Sequence, residues 1–442
     1  MDHFLHSGPG RLEHLQTAVK ELKRKKQVTV LGLGESGLAA ALFLKRKGYA
    51  VFVTDAGKSP LLEARAADLA RAGVPFELGR HTVSRAGACD WALISPGIPP
   101  TSDICQSLAA NKVPLVSEIE LASWFFAGAV TAVTGTTGKT TVVTLLDRIF
   151  RANGLRSLAC GNIGNPWVGE LDRLPPEAQV VLEVSSFQLM HTYSLRPRSA
   201  ILLNIGRNHL DWHADMKDYV KAKLRLFANQ TAEDRAFFRR QDRTDFFPDF
   251  KFRAETFEFG GDPSLDSNAE LLRLLTRLEK LDPAKTEEIL KRFEGIEHRL
   301  ERVAETGGVL FVNDSKSTTI EALAWALERF PDGKVILLAG GHAKGADFRC
   351  VRDRLQHKAK KAVVFGESQG LLWESWEGAA PLARAADLAE AFQEALKTAE
   401  TGDVILLSPA CASFDQFANY KERGRLFKEL IRQELSRQAV KA

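Results

Sequence analysis

The sequence lacks the features that would place it outside the ordinary globular class. Cysteine is scarce. The five residues, Cys89, Cys105, Cys160, Cys350 and Cys411, are scattered, odd in number and show no C-x-x-C spacing. That argues against a disulfide framework or a cysteine zinc site and points to a reducing compartment. No apolar run approaches the ~20 residues that a membrane-spanning helix needs. The opening residues, MDHFLHSGPGRLEHLQ, contain no apolar signal core. Charge of one sign is also missing: 60 Lys+Arg against 56 Asp+Glu leaves +4, too mild a surplus to indicate a nucleic-acid partner. A cytoplasmic protein with neither nucleic acid nor membrane as partner is expected. Hydrophobic residues at 45% and charged residues at 26% exclude whole-chain disorder and fibrous classes. At ~150 residues per domain, 442 residues suggest about three domains.

The pattern along the chain agrees with that number. Residues 1–26 read as an N-terminal extension whose basic cluster, Lys20 to Lys26, is a solvated helix end. In 27–118, QVTVLGLG is a strand, SGLAAALFLKRKG a helix stopped by glycine, AVFVTDAG a second strand, and WALISPGIPP a third that ends in a Pro/Gly turn. Residues 119–295 begin a new strand–loop–helix unit, AVTAVTGTTGKTTVVTLLDRIF, with further strands at 179–184 and 200–205 and helices over 267–294. The phenylalanine-rich stretch 231–259 reads as core or hairpin packing. In 296–442, GVLFVNDS, KVILLAGG, KAVVFG and DVILLSPA are four apolar strands separated by helical stretches. The fold class expected is α/β in three domains: an N-terminal Rossmann-like doubly wound sheet, a central P-loop ATPase-type domain and a C-terminal Rossmann-like domain.

Gly135-Thr136-Thr137-Gly138-Lys139-Thr140-Thr141, between a strand and a helix, carries the strongest chemical signal. Glycines let the backbone curl so that N–H groups face phosphate oxygens, and the helix N-terminus adds partial positive charge. Lys139 can reach terminal phosphates and a threonine hydroxyl can hold Mg²⁺. Val133 stands where the full Walker spacing has glycine, so the loop is a shorter variant. Glu183, ending the strand VVLEV, sits as a magnesium-binding acid would. In NIGRNHLDWH, His209, Asp211 and His213 alternate on one face of an extended chain. His209 is the favoured metal-site residue, and His213 reads as structural. Lys223, on the helix KDYVKAKLRLF, reads from composition alone as a snorkelling surface lysine.

In the first domain, Gly32-Leu33-Gly34-Glu35-Ser36-Gly37 with Asp55 on the next strand fits a dinucleotide fingerprint. It implies a nucleotide-bearing substrate or a redox cofactor. In the third domain NDSKST (313–318), GGHAKG (340–345) and SPACAS (408–413) follow three strands, at the sheet edge where ligands bind, and Lys316 and Lys344 suit an anion. Cys411 reads as packing.

TGTTGKTT, LEVSSFQL, EHRLE, NDSKSTT and LLSPACASFDQFANYKERGRLFKELI, in this order, resemble the Mur ligase family of peptidoglycan synthesis from about residue 27 to the end. GLGESG, SPGIPP and SPACASFDQF favour its D-glutamate-adding branch. The resemblance implies an ATP-dependent amide ligase that joins D-glutamate to UDP-N-acetylmuramoyl-L-alanine through an acyl phosphate. It implies ATP at Gly135 to Thr141 with Asn268, Arg299 and Asp314, and His298 beside Arg299. It implies a metal site, with two Mg²⁺ ions, at Thr140, Glu183, His209 and a carbamylated Lys223, and a catalytic set of Lys139, Glu183, His209 and Lys223. The uridine-muramoyl site would be Glu35, Ser36, Asp55, Gly97, Asn162 and His209. D-Glutamate would meet Lys316, Thr318, Lys344, Ser413 and Tyr420. A monomer is expected. The chain departs from the family pattern at Asn208 and Ala343, where the family has Asp, and at LDSNAELL, where it often has His-Asn.

Overall fold

The computed structural model describes residues 11–441 except 207–211, 262–265, 294 and 344–345, with the side chains of 11–16, 321 and 438–441 set aside. It divides into two compact units, residues 1–292 and 293–442.

In the first unit, β1 (Gln27–Leu31), β2 (Ala50–Asp55), β3 (Phe76–Leu78), β4 (Trp91–Ile94) and β5 (Leu115–Ser117) form a parallel sheet in the order β3-β2-β1-β4-β5. The order reverses at β1, and the turn after β1 opens at that switch point. Gly32 there has φ +88°, and a Cβ on Gly37 would stand 1.9 Å from Gly32 O, so only glycine lets the helix Glu35–Arg46 start so close to the strand. The basic cluster is solvated as expected at Lys20, Arg24, Lys25 and Lys26, and only Lys23 is docked. In the helix Arg11–Arg24, Val19 is buried, the Lys23 amine donates to Trp124 O, and Lys23 O accepts from the Tyr49 hydroxyl at 2.9 Å. The lysine stem covers apolar surface and leaves its amine a carbonyl partner.

The second sheet of this unit holds β6 (Val130–Thr134), β7 (Ser157–Gly161), β8 (Gln179–Glu183), β9 (Ser199–Leu202), β10 (Arg235–Arg239) and β11 (Glu255–Phe259). They run parallel in the order β11-β10-β9-β6-β8-β7, with β6 between β8 and β9. β10 and β11 are joined by the helix Arg240–Phe246 and pair in parallel, so the phenylalanine-rich stretch is a crossover and not a hairpin. Its aromatics are core, as expected of one of the two readings: Phe238 and Phe252 stack at 4.6 Å, and Phe247 and Phe250 meet Phe252 edge-on.

In the second unit, β12 (Glu301–Thr306), β13 (Val309–Asn313), β14 (Val335–Gly340), β15 (Ala359–Phe365), β16 (Leu382–Ala385) and β17 (Val404–Leu407) lie in the order β12-β13-β17-β14-β15-β16. β13, β14, β15 and β17 are the four apolar strands foreseen. β12 pairs antiparallel with β13, making the sheet mixed. β14 and β17 are fully buried, which is why they read as unbroken apolar runs. Each sheet with its helices is one domain of a three-domain α/β architecture. Among the described residues no helix is long and apolar enough to cross a membrane.

Candidate active site

Three groups of residues stand at the C-terminal ends of parallel strands, two in the first unit and one in the second. In the first, the chain leaves β6 through Gly135 (φ +154°) and Gly138 (φ +80°) into the helix Lys139–Ala152. Cβ atoms at both positions would be strained, and the Gly135 Cβ would press on the Leu203 Cβ at 3.0 Å. The loop is braced from β9. Asn204 Oδ1 accepts from the Thr136 and Thr137 N–H groups at 3.1 and 2.9 Å, and its Nδ2 donates to Thr137 O at 3.1 Å. Thr136 Oγ1 accepts from Gly206 N at 2.9 Å and lies 3.1 Å from the Tyr219 hydroxyl. The Lys139 amine donates to Gly135 O at 2.7 Å and Thr136 O at 3.0 Å. Thr140 is buried on the first turn, and Thr141 follows it. Asn268 belongs to this group. It starts the helix Ser267–Leu278, capped by Asp266, and its Nδ2 would lie 3.5 Å from a Cβ on Gly138.

Two buried charged side chains lie beside the end of β6. Glu183 ends β8, next to β6 in register with Val133, and is 2% exposed. Its Oε1 accepts from Asn162 Nδ2 at 3.0 Å, whereas Oε2 has no hydrogen-bond partner among the described residues. A carboxylate oxygen buried without a donor is costly, and a hard cation answers that deficit. Lys223 is 1% exposed on the helix Met216–Leu224. Its amine donates to Gly135 O at 3.0 Å and Thr134 Oγ1 at 3.5 Å, lies 4.5 Å from the Tyr219 ring, and forms no ion pair among the described residues. Burial, with the Lys139 charge adding to it, pushes its pKa well below the usual lysine range. The surface reading of Lys223 is therefore overturned: the periodicity placed the apolar stripe correctly, but position 223 also faces inward, toward the loop. His209 and Asp211 lie outside the described residues. His213 is a strut: its ring nitrogens lie 3.0 Å from Asp218 Oδ2 and from Ser186 Oγ.

The dinucleotide-like turn follows β1. Asp55 Oδ2 accepts from Leu33 N at 2.6 Å and Oδ1 from Gly57 N at 2.7 Å, so this carboxylate ties the strand ends together. Glu35 is exposed and Ser36 half-buried on the first turn of the following helix, and Gly97 is exposed after β4. Sequence reasoning missed a cleft between this edge and the second sheet. It is lined by Ser95, Pro96, Ser117, Phe187, His191 and Trp212, with the Phe187 and Trp212 rings 4.4 Å apart. It also missed Asn204 and Tyr219. The proximity of NIG to the P-loop strand was the available signal for Asn204.

In the second unit, Asp314 follows β13 and is buried. Its Oδ2 accepts from Ser408 Oγ at 2.8 Å and its Oδ1 from Leu300 N at 3.2 Å. Burial outweighs these bonds and raises its pKa to about 7. His298 (φ +66°) and Arg299 precede β12, and His298 Nδ1 meets Asn313 Nδ2 at 2.9 Å. Lys316 N donates to His298 O at 3.0 Å, and the Lys316 amine stands 5.9 Å from the Tyr420 ring. Thr318 is half-buried on the same loop, and Ser413 is buried after β17. Lys344 lies outside the described residues. Cys411 is buried against Ser368 Oγ at 3.3 Å, and burial pushes its thiol up, which agrees with packing.

Family models match three stretches: a Mur ligase MurD-like N-terminal domain over residues 26–117, a Mur ligase middle domain over 133–263 and a Mur ligase glutamate ligase domain over 298–411. A Pelotomaculum thermopropionicum protein named UDP-N-acetylmuramoylalanine–D-glutamate ligase is 38% identical over 450 residues, covering 93% of this chain and 98% of that one. A protein of the same name from Oleidesulfovibrio alaskensis is also 38% identical, covering 95% and 96%. Among solved structures, the MurF ligase of Thermotoga maritima in complex with ADP shares the fold at TM-score 0.53 and 17% identity, covering 88% of this chain and 96% of that one. With all three of its domains matched and relatives alike over nearly its whole length, the chain belongs to the Mur ligase family.

Proposed function

We propose that this chain is an ATP-dependent amide ligase of peptidoglycan precursor synthesis, joining D-glutamate to UDP-N-acetylmuramoyl-L-alanine with release of ADP and phosphate. The observation that carries the reading is the convergence at the end of β6. A glycine-bent phosphate loop, a buried carboxylate and a buried amine lie there, and among the described residues the carboxylate keeps an open oxygen and the amine has no counter-carboxylate.

The chemistry follows from the substrates. A carboxylate is a poor electrophile. One of its oxygens attacks the terminal phosphorus of ATP, the bond to the ADP oxygen breaks, and an acyl phosphate results. The amine nitrogen of D-glutamate then attacks the acyl carbon, the carbon–oxygen bond to phosphate breaks, and a proton leaves the nitrogen. Gly135 to Thr141 hold the phosphates through backbone N–H groups and the helix N-terminus. Lys139 offsets charge on the transferring group. Asn268, Arg299 and Asp314 complete the nucleotide site. Thr140, Glu183, His209 and Lys223 would hold Mg²⁺, two ions in this reading, and the metal when bound neutralises phosphate charge. The lowered basicity of Lys223 suits carbamylation: the neutral amine adds to CO₂, a nitrogen–carbon bond forms, a proton leaves, and a carbamate oxygen donor replaces the amine.

Glu35, Ser36, Asp55, Gly97 and Asn162, with His209, take the uridine-muramoyl substrate. Lys316, Thr318, Lys344, Ser413 and Tyr420 take D-glutamate. Domain limits of 27–118, 119–295 and 296–442, a cytoplasmic location and a monomer belong to the same reading. The test is phosphate release across a panel of amino acids with UDP-N-acetylmuramoyl-L-alanine present. D-Glutamate alone should support it. Inert D-glutamate with active meso-diaminopimelate or L-alanine would overturn the substrate assignment.

A further inference from the structure

Arg423 is fully buried on the first turn of the helix Tyr420–Lys441, yet it forms no ion pair with any carboxylate among the described residues. Its guanidinium is spent on backbone. Nη2 donates to Ser315 O at 2.9 Å and Cys411 O at 3.1 Å, Nη1 to Gly340 O at 3.2 Å, and Nε to Ser315 Oγ at 3.1 Å. Ser315 Oγ in turn donates to Tyr420 O at 2.7 Å. These acceptors come from three strand ends: the loops after β13 and β17 and the last residue of β14. Two of these segments carry described residues of the proposed amino-acid site: Lys316 and Thr318 after β13, and Ser413 after β17.

The loops have little freedom around the guanidinium. A Cβ on Gly341 would fall 2.1 Å from Ala412 O and 3.0 Å from Nη1. His342 and Ala412 exchange backbone hydrogen bonds at 2.8 and 3.0 Å. Arginine alone offers a planar fork of five donors that can hold several carbonyls in fixed directions.

We propose that Arg423 is a positioning residue for the amino-acid substrate: it clamps the three strand ends that bear the proposed amino-acid site into one arrangement. The proposal rests on the ligase reading above. It adds a residue that does not touch substrate and that acts through Ser315, Gly340 and Cys411.

The experiment uses the full-length chain and the variants Arg423→Gln and Arg423→Lys. It measures KM for D-glutamate, kcat, equilibrium binding of UDP-N-acetylmuramoyl-L-alanine and thermal unfolding. The expected result is a D-glutamate KM raised at least tenfold in Arg423→Gln. Arg423→Lys, which keeps the charge and loses the fork, should show a smaller rise. Binding of the uridine substrate should stay within twofold of wild type in both. A D-glutamate KM within twofold of wild type in Arg423→Gln would overturn the proposal. So would a loss of uridine-substrate binding in step with unfolding, or failure of both variants to fold, because either outcome reduces Arg423 to a structural role. A wild-type chain that makes no product with D-glutamate would instead remove the ligase reading itself, and this is seen before any variant is made.

Discussion

Replacing Lys223 with methionine should make the protein more stable while abolishing its activity. Lys223 is 1% exposed; among the described residues its amine has Gly135 O and Thr134 Oγ1 as polar partners and Lys139 as its charged neighbour. Holding this amine as a cation out of water, or giving up its proton to avoid that, costs several kcal/mol. Two hydrogen bonds return about 0.5–1.5 kcal/mol each, and Gly135 O keeps its bond from Lys139 in the variant. Methionine matches the length of the lysine stem and fills the same space with little strain. The balance favours the variant by about 2 kcal/mol, which corresponds to roughly 3 °C in the unfolding midpoint of a unit this large. The assay is thermal unfolding of both proteins in bicarbonate-free buffer at neutral pH, with ligase turnover measured on the same preparations. A variant that melts below wild type, or that retains full turnover, would refute the reasoning. The first outcome would mean that the buried amine contributes to stability. The second would mean that its conflict with burial serves no chemistry.

Glu118 gives a pH dependence whose sign is fixed by the structure. It is fully buried, its Oε1 accepts from Val168 N at 2.6 Å, its Oε2 has no partner among the described residues, and burial raises its pKa from 4.5 to about 7. The folded state then binds more protons than the unfolded state between those values, so stability falls as pH rises from about 4.5 through about 7, by up to about 3 kcal/mol. Glu118→Gln should lack that slope in a pH series of denaturant unfolding, and parallel curves would contradict it. Asn204→Ala strips the brace from two phosphate-loop N–H groups and one carbonyl. It should raise the KM for ATP and cost about 1–3 kcal/mol of stability; an unchanged ATP KM would count against the brace. Glu183→Gln should fold as well as wild type and lose at least ~100-fold in magnesium-dependent turnover. Unaltered turnover at limiting magnesium would remove Glu183 from the metal site.

The legible parts were local. The phosphate loop announces itself because strand, glycines and helix start are adjacent in the chain, and the buried strands β13, β14, β15 and β17 read as apolar runs because both faces are covered. β12 and β16 escaped notice. They are edge strands whose burial is partial, and charged residues break their patterns, as in ERVAET. Lys223 was misread from composition because burial of a lysine depends on what the opposite element presents, here a carbonyl of the phosphate loop 88 residues away. Arg423 and Asn204 were invisible for the same reason, since their partners are backbone atoms of distant loops and leave no trace in local spacing. The motif-level resemblance supplied Lys223 where periodicity could not.

The central claim is that a carboxylate oxygen becomes a phosphate oxygen during turnover. UDP-N-acetylmuramoyl-L-alanine labelled with ¹⁸O in its terminal carboxylate, incubated with ATP, Mg²⁺ and D-glutamate, tests it directly by mass spectrometry of the released phosphate. The account predicts one ¹⁸O atom in each phosphate released with amide formation, and phosphate that carries no label would contradict it.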